Sequence, residues 1–301
     1  MTSEQNEPNR RQGEIVFEDG LPPSTTETRA AMLERERNYR PRRTLPLVLF
    51  IATCLTTWYA GGWMYSLAVM FVLLSHEFGH YLQAVRYNVP ASLPLFIPLP
   101  LRPIGTMGAV IAMQGGKGDR KELYDIAITG PIAGFIPAVI FSVVGLQLSE
   151  VLPIPDNATM VMFGEPLFFK WLVYITFGSI PEGHDVMLHP IGIAGWVGIF
   201  ITALNLFPIG QLDGGHILYA LIGKRAHTVA RLFVIGAILG VLLGGYYGWT
   251  LMLTLLLFMG IDHPPTANDH APLGTTRKIL GWIALAFMPI GFTPMPIYLS
   301  G

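Results

Sequence analysis

The residues His76-Glu77-Phe78-Gly79-His80 close an apolar run, Leu67-Ala68-Val69-Met70-Phe71-Val72-Leu73-Leu74. No other feature of the chain constrains its fold so strongly. On an α-helix of about 3.6 residues per turn, His76 and His80 stand about 40° apart, and Glu77 lies about 60° beyond His80. Two imidazoles one turn apart can hold a zinc ion, and the carboxylate beside them can take a proton from water held there. The same segment is apolar enough to cross a bilayer, where every ionisable group is costly and a functional candidate by default. The rest of the chain has to complete, shelter and feed such a site.

Only 13% of the 301 residues are charged, against about 25% in soluble domains. The expectation is an all-α polytopic membrane protein. It would have about six to seven transmembrane helices, each near the ~20 residues a bilayer requires, and a short β-strand or hairpin near the active site. A net charge of −1 gives no electrostatic basis for a nucleic-acid partner. Cys54 is the single cysteine, which excludes a disulfide within the chain and a thiolate zinc site. Any zinc must be held by His, Asp or Glu.

Residues 1–43 are polar, with mixed charge and Pro22-Pro23, the composition of a disordered tail. No apolar run opens them, so a cleaved signal peptide is not expected. Arg40, Arg42 and Arg43 directly precede the first apolar run and hold the N-terminus in the cytoplasm by the positive-inside rule. Residues 44–301 then read as one transmembrane domain with a catalytic core at 64–223. Spans are expected near 45–62, 64–88, 122–148, 190–207, 226–243, 249–261 and 279–298, with Gly61-Gly62 as a tight turn between the first two. The second span carries the two histidines near its cytoplasmic end.

Residues 149–189 hold five acidic residues but only Lys170 as a lysine and no arginine, which fits the external side. Within them, Pro166–Ile175 is too short to span and reads as a re-entrant or interfacial helix. His184 and His189 then face the wrong side to join His76. Asp125 reads as a carboxylate supporting the dipole at the start of the third span. His263, Asp269 and His270 read as part of a solvated loop.

Prolines 90, 94, 98, 100 and 103 exclude a long helix over 89–121, yet the segment is apolar. Gly105-Thr106-Met107-Gly108-Ala109-Val110-Ile111-Ala112-Met113 looks extended. Non-helical backbone at membrane depth must be buried or line a wet cavity, and an open strand edge there could pair with an extended substrate. An ordinary interfacial loop is the other reading. A catalytic zinc keeps three protein ligands and one open position. The fourth span runs towards the cytoplasm and ends in Asn205-Leu206-Phe207-Pro208-Ile209-Gly210-Gln211-Leu212-Asp213-Gly214-Gly215-His216. Asp213 is the natural third ligand, and His216 competes with it.

Together, H-E-F-G-H at 76–80 and N-L-F-P-I-G-Q-L-D-G-G at 205–215 resemble the site-2 protease family of intramembrane zinc metalloproteases. Gly105–Ala109, Asp119-Arg120-Lys121, Asp125-Ile126, Gly130-Pro131, His189-Pro190 and Ala194-Gly195-Trp196 are similar to its cyanobacterial and chloroplast branch. Residues 89–121 leave no room for a PDZ insert, and no CBS domain follows at the C-terminus. The resemblance implies one zinc per chain on His76, His80 and Asp213, with Glu77 as general base. It implies that Asn205 positions substrate or stabilises charge, and that Gly105, Thr106, Met107 and Gly108 belong to a substrate-pairing strand. Its implied partners are transmembrane protein substrates and the lipid bilayer. The expected setting is the cell membrane, multi-pass, with the active site towards the cytoplasm by the charges of the loops. An inactive membrane scaffold or chaperone of the same fold and a metal-ion transporter are the alternatives.

Overall fold

The computed structural model describes residues 44–112, 118–154 and 160–300. The expected tail 1–43, and Met113 at the end of the expected strand, lie outside the described residues. Helix α1 (Thr44–Arg86) is broken at Gly62, where φ is 82°, a left-handed conformation that glycine adopts without strain. The chain turns back on itself there. The Thr57 hydroxyl lies 2.8 Å from that of Ser66, and Ser66 donates to the Cys54 carbonyl at 3.1 Å. Along a straight helix these pairs would stand about 13 and 18 Å apart. The expected turn at Gly61-Gly62 is therefore present, and α1 is two arms of a helical hairpin.

Strands β1 (Leu95–Pro98) and β2 (Thr106–Val110) form an antiparallel hairpin, with Phe96 opposite Ala109 and a bulge between Phe96 and Pro98. Phe96 is buried, and the Tyr65 hydroxyl donates to the Ile104 carbonyl at 2.6 Å, fastening the hairpin to the second arm of α1. Helix α2 (Arg120–Gln147) starts in a capping box: Asp119 accepts from the amides of Lys121 and Glu122, and Glu122 accepts from the amide of Asp119.

Asp125, expected to support the dipole at the start of this helix, is also bonded by two side chains. It takes two bonds from Arg277, at 2.7 and 3.0 Å, and one from the Tyr87 hydroxyl at 2.5 Å. That junction ties α2 to the end of α1 and to the last helix.

Strand β3 (Glu150–Pro153) pairs with β5 (His184–Met187), and β4 (Met160–Phe163) pairs with β6 (Ile297–Ser300), both antiparallel. Between them α3 (Leu167–Phe177) is the short apolar helix expected around 166–175. Helix α4 (Pro190–Asn205) begins with His189 as its cap and presents Gly192, Gly195 and Gly198 to α2. A Cβ at Gly145 would lie 2.1 Å from the Gly192 nitrogen, and one at Gly195 2.4 Å from the Ser142 nitrogen. This stripe brings the two backbones into contact. Trp196, Val197 and Ile199 sit on the same helix, fully buried in one core cluster with Val69, Val72 and Leu73 of α1.

Helix α5 (Asp213–Ile222) is short, α6 (Arg225–Gly244) long, and a 3-10 turn (Tyr247–Trp249) leads into α7 (Thr250–Met259). Helix α8 (Thr275–Gly291) ends the helical part. The last expected span, 279–298, thus stops at Gly291, and the chain continues as β6. Among the described residues, α1, α2 and α6 are long and apolar enough to cross a membrane, and α3, α4 and Tyr247–Met259 are apolar but shorter. At 16 residues, α4 is about 24 Å long, less than the ~30 Å hydrocarbon core.

Candidate metal centre

His76 and His80 lie on the second arm of α1, 3% and 6% exposed, with Glu77 between them at 3%. Their Nε2 atoms are 3.2 Å apart. Asp213, the first residue of α5, brings its carboxylate to both: Oδ2 is 3.1 Å from His76 Nε2 and Oδ1 is 3.2 Å from His80 Nε2. One ligand atom from each residue lies within 4.8 Å of the others. His80 Nδ1 is 2.7 Å from the Ile126 carbonyl. A carbonyl only accepts, so Nδ1 carries the proton and Nε2 is left with its lone pair turned to the cluster. Asn205 Nδ2 donates to His76 Nε2 at 3.2 Å, which places a lone pair there too. Electron pairs from two imidazoles and a carboxylate therefore converge on one point, the donor set that suits zinc. The residues fit such an ion.

Glycines make the room. A Cβ on Gly130 would lie 2.0 Å from His80 Nε2, and one on Gly134 would lie 2.9 Å from His76 Cβ. Across the same contact, a Cβ on Gly79 would meet the Thr129 carbonyl at 2.6 Å. The Gly130–Gly134 face of α2, legible in the sequence only as small residues suited to close helix approach, is the cradle of both imidazoles. Gly214 and Gly215 do the same for Asp213. Cβ atoms there would sit 2.0 and 2.2 Å from the carbonyls of Leu206 and Ile209, so the first turn of α5 folds tightly back on the chain between α4 and α5.

The cluster opens into a cavity of about 370 Å³. His76, Glu77, His80, Asn205 and Asp213 line one part of it, Ala109–Ala112 a second, and Met259 with His263–Thr266 a third.

A family model described as peptidase family M50 matches residues 64–243, more than half of the chain. The chain belongs to peptidase family M50. It is similar to proteins described as probable zinc metalloprotease EGY1, chloroplastic. The one from Arabidopsis thaliana is 34% identical over 235 residues, covering 75% of this chain and 42% of the relative. The one from Oryza sativa subsp. japonica is 31% identical over 240 residues, covering 75% and 40%. A probable zinc metalloprotease EGY2, chloroplastic, of Arabidopsis thaliana is 30% identical over 164 residues, covering 54% and 29%. The chain thus spans about two fifths, or less, of the length of these curated relatives.

The M50 match contains every residue of the metal cluster. It also contains the hairpin, and of the segment 105–113 expected to be extended, Ala109–Ala112 line the cavity. Gly105, Thr106, Met107 and Gly108 are not part of the cavity lining. A Cβ on Gly105 would lie 2.7 Å from the Thr56 carbonyl, so this glycine lets the hairpin press on the first arm of α1. The Thr106 hydroxyl donates to the Ile97 carbonyl and accepts from the Gly108 amide, at 3.1 and 3.0 Å, and Met107 is exposed. These four shape the hairpin, and Ala109–Ala112 face the site.

His216 is not in the cluster. Its Nδ1 lies 2.7 Å from His263 Nε2. His184 is exposed, and His189 caps α4 by accepting from the Ile191 amide at 3.3 Å.

The loop over 262–270, expected to be solvated, is exposed at Asp262, Pro264, Pro265, Ala267, Asn268 and His270, and departs from that reading at His263. His263 is 7% exposed and stacks on Tyr219 with ring centroids 4.4 Å apart. The Tyr219 hydroxyl donates to Asp269 at 2.9 Å. Burial pushes the His263 imidazole below its ordinary pKa. The Thr266 hydroxyl, bonded to Asp269 at 2.6 Å, holds that carboxyl below the usual range. One signal for this was available: His216 and Tyr219 are three residues apart and share a helix face. Nothing local ties them to His263 or Asp269.

Proposed function

We propose that the chain is an intramembrane zinc metalloprotease that hydrolyses peptide bonds within or near transmembrane segments of membrane-protein substrates. The observation that carries this reading is the convergence of His76, His80 and Asp213 beside Glu77, on a helix apolar enough to cross a membrane. Family membership and the printed names of the relatives support it. His76, His80 and Asp213 would hold the zinc, which would supply Lewis acidity and lower the pKa of a water beside it.

The chain's own residues do the rest. Glu77 takes the proton from the attacking water and delivers it to the leaving amine. The Asn205 amide, already aimed at the cluster, donates to charge developing on the scissile carbonyl. A transmembrane helix hides its peptide bonds in its own hydrogen bonds and must unwind before attack. Among the described residues β2 pairs with β1 alone, so its second edge can take the freed backbone of the substrate by strand addition near Ala109–Ala112.

The two arms of α1 count as two spans in this reading, α2 and α6 cross with them, and the shorter α4, α7 and α8 are the candidates for the remaining spans of the six to seven expected. Arg86, Arg120, Lys121, Lys224 and Arg225 lie at helix ends and support a cytoplasmic active site by the positive-inside rule. The cell membrane is the proposed location.

The test is cleavage of a single-span reporter by the purified chain in proteoliposomes. Cuts within or at the edge of the span, abolished by a chelator and restored by zinc, are expected. Zinc flux without any cleavage would overturn the reading in favour of a transporter.

A further inference from the structure

We infer that His263–Thr266 form the second wall of the substrate slot and decide which side chains the site accepts beside the scissile bond. This rests on the protease reading.

The wall faces the same cavity as the metal cluster and the Ala109–Ala112 segment. Its chemistry is the opposite of a strand edge. Pro264 and Pro265 have no amide proton, and the Thr266 amide is bonded to Asp269 Oδ1 at 3.2 Å. The Thr266 hydroxyl is bonded to the same oxygen. The Pro264 carbonyl lies against His263 Nδ1, and the His263 carbonyl against His227 Nε2 at 3.1 Å. From 264 to 266 the wall therefore offers a substrate no free main-chain donor. Strand β2 can bond an extended peptide. This side donates no main-chain bond and confines the peptide by the shape of its proline rings.

The wall is also held at a set place relative to the metal ligands. At one end His263 is bonded to His216 and stacked on Tyr219, both on the helix that begins with Asp213. At the other, Tyr219 holds Asp269, the Arg120 amide donates to the Asn268 carbonyl at 3.2 Å, and the Ala267 amide donates to that of Gly118 at 3.0 Å. The Arg120 guanidinium in turn bonds the carbonyls of Ala220 and Leu221 at the end of α5. A strap tied at both ends to α5 and the start of α2 cannot yield to a bulky residue as a loose loop would. Shape-based discrimination of this kind is worth about 10–200-fold per methylene group.

The experiment uses the full chain in proteoliposomes and a panel of single-span reporters differing in one residue next to the mapped bond, from Ala through Leu to Phe. Pro265→Gly removes bulk and stiffness from the wall. The expected result is a shift of at least about tenfold in the kcat/KM ratio towards Phe over Ala, carried in KM. An unchanged ratio, or an equal loss on every reporter, would overturn the inference. A photo-cross-linking residue at position 265, placed in the Glu77→Gln variant, reports contact without cleavage. It should capture the reporter through the residues flanking the bond, and failure to do so also overturns the wall. No cleavage of any reporter by the unaltered chain defeats the protease reading and the wall with it, whereas cleavage with an unchanged ratio defeats the wall alone.

Discussion

Helices α2 and α6 are both apolar enough to cross a membrane, yet they are packed in opposite ways. Helix α2 meets its neighbours through Gly130, Gly134 and Gly145, each with a Cβ position already filled by another residue. On α6 a Cβ at Gly236 would meet nothing within 4 Å, and Leu243 is 82% exposed. Phe258 of α7 is 92% exposed. Apolarity alone says that a surface tolerates lipid. Small residues at helix contacts say where protein meets protein. On α2 the tight contact runs from Gly130 and Gly134, against the two imidazoles, to Gly145, against the start of α4.

The largest effect should come from the site itself. Glu77→Gln keeps the shape of the buried side chain and removes its basicity, so cleavage should fall by about 10²–10⁴-fold while zinc is retained. Cleavage at the unaltered rate would remove Glu77 from the mechanism. Gly130→Ala comes next. A methyl group there must displace the His80 ring, and zinc affinity should drop by about 10–100-fold, measured by competition with a chelating dye. Full affinity would show that the cradle tolerates a Cβ and that the packing contrast has been overread.

Smaller effects follow away from the cluster. Asp125→Ala leaves Arg277 and Tyr87 without their partner and should cost about 1–3 kcal/mol, nearer the low end because the Arg277 side chain is 35% exposed. A thermal unfolding series in detergent reads this. Gly236→Ala on α6 should stay within about 0.5 kcal/mol and leave zinc binding alone. Equal damage from Gly236→Ala and Gly130→Ala would erase the distinction between the two helices.

Much of the site could be read from residue types and spacing, because the chemistry leaves few choices. Two imidazoles four residues apart need a helix to converge, and an aspartate among glycines on another apolar element is a candidate third ligand, with His216 its competitor until the structure brings Asp213 to the two imidazoles. The hairpin was readable for a negative reason: five prolines exclude a helix over 89–121. The turn at Gly62 was readable because glycine has the conformational freedom a reversal needs. What escaped depends on distant partners. Strands β3 to β6 are four residues each, too short for alternation to show, and β4 finds its partner at the far end of the chain. Asp125 was read from its position near a helix start, but its bonds come from Tyr87 and Arg277. The strap over 262–270 is polar, proline-bearing and mostly exposed, as a solvated loop should be, and only the distant contacts of His263 and Asp269 with Tyr219 of α5 fix its place beside the cavity.

The most direct test of the metal centre is the zinc content of purified Asp213→Ala beside that of the unaltered chain, by elemental analysis after extensive dialysis. The geometry predicts about one zinc per unaltered chain, from three convergent ligands, and a marked loss in the variant at preserved helicity. Equal zinc in both would contradict it, because the carboxylate that faces His76 and His80 would then hold no metal.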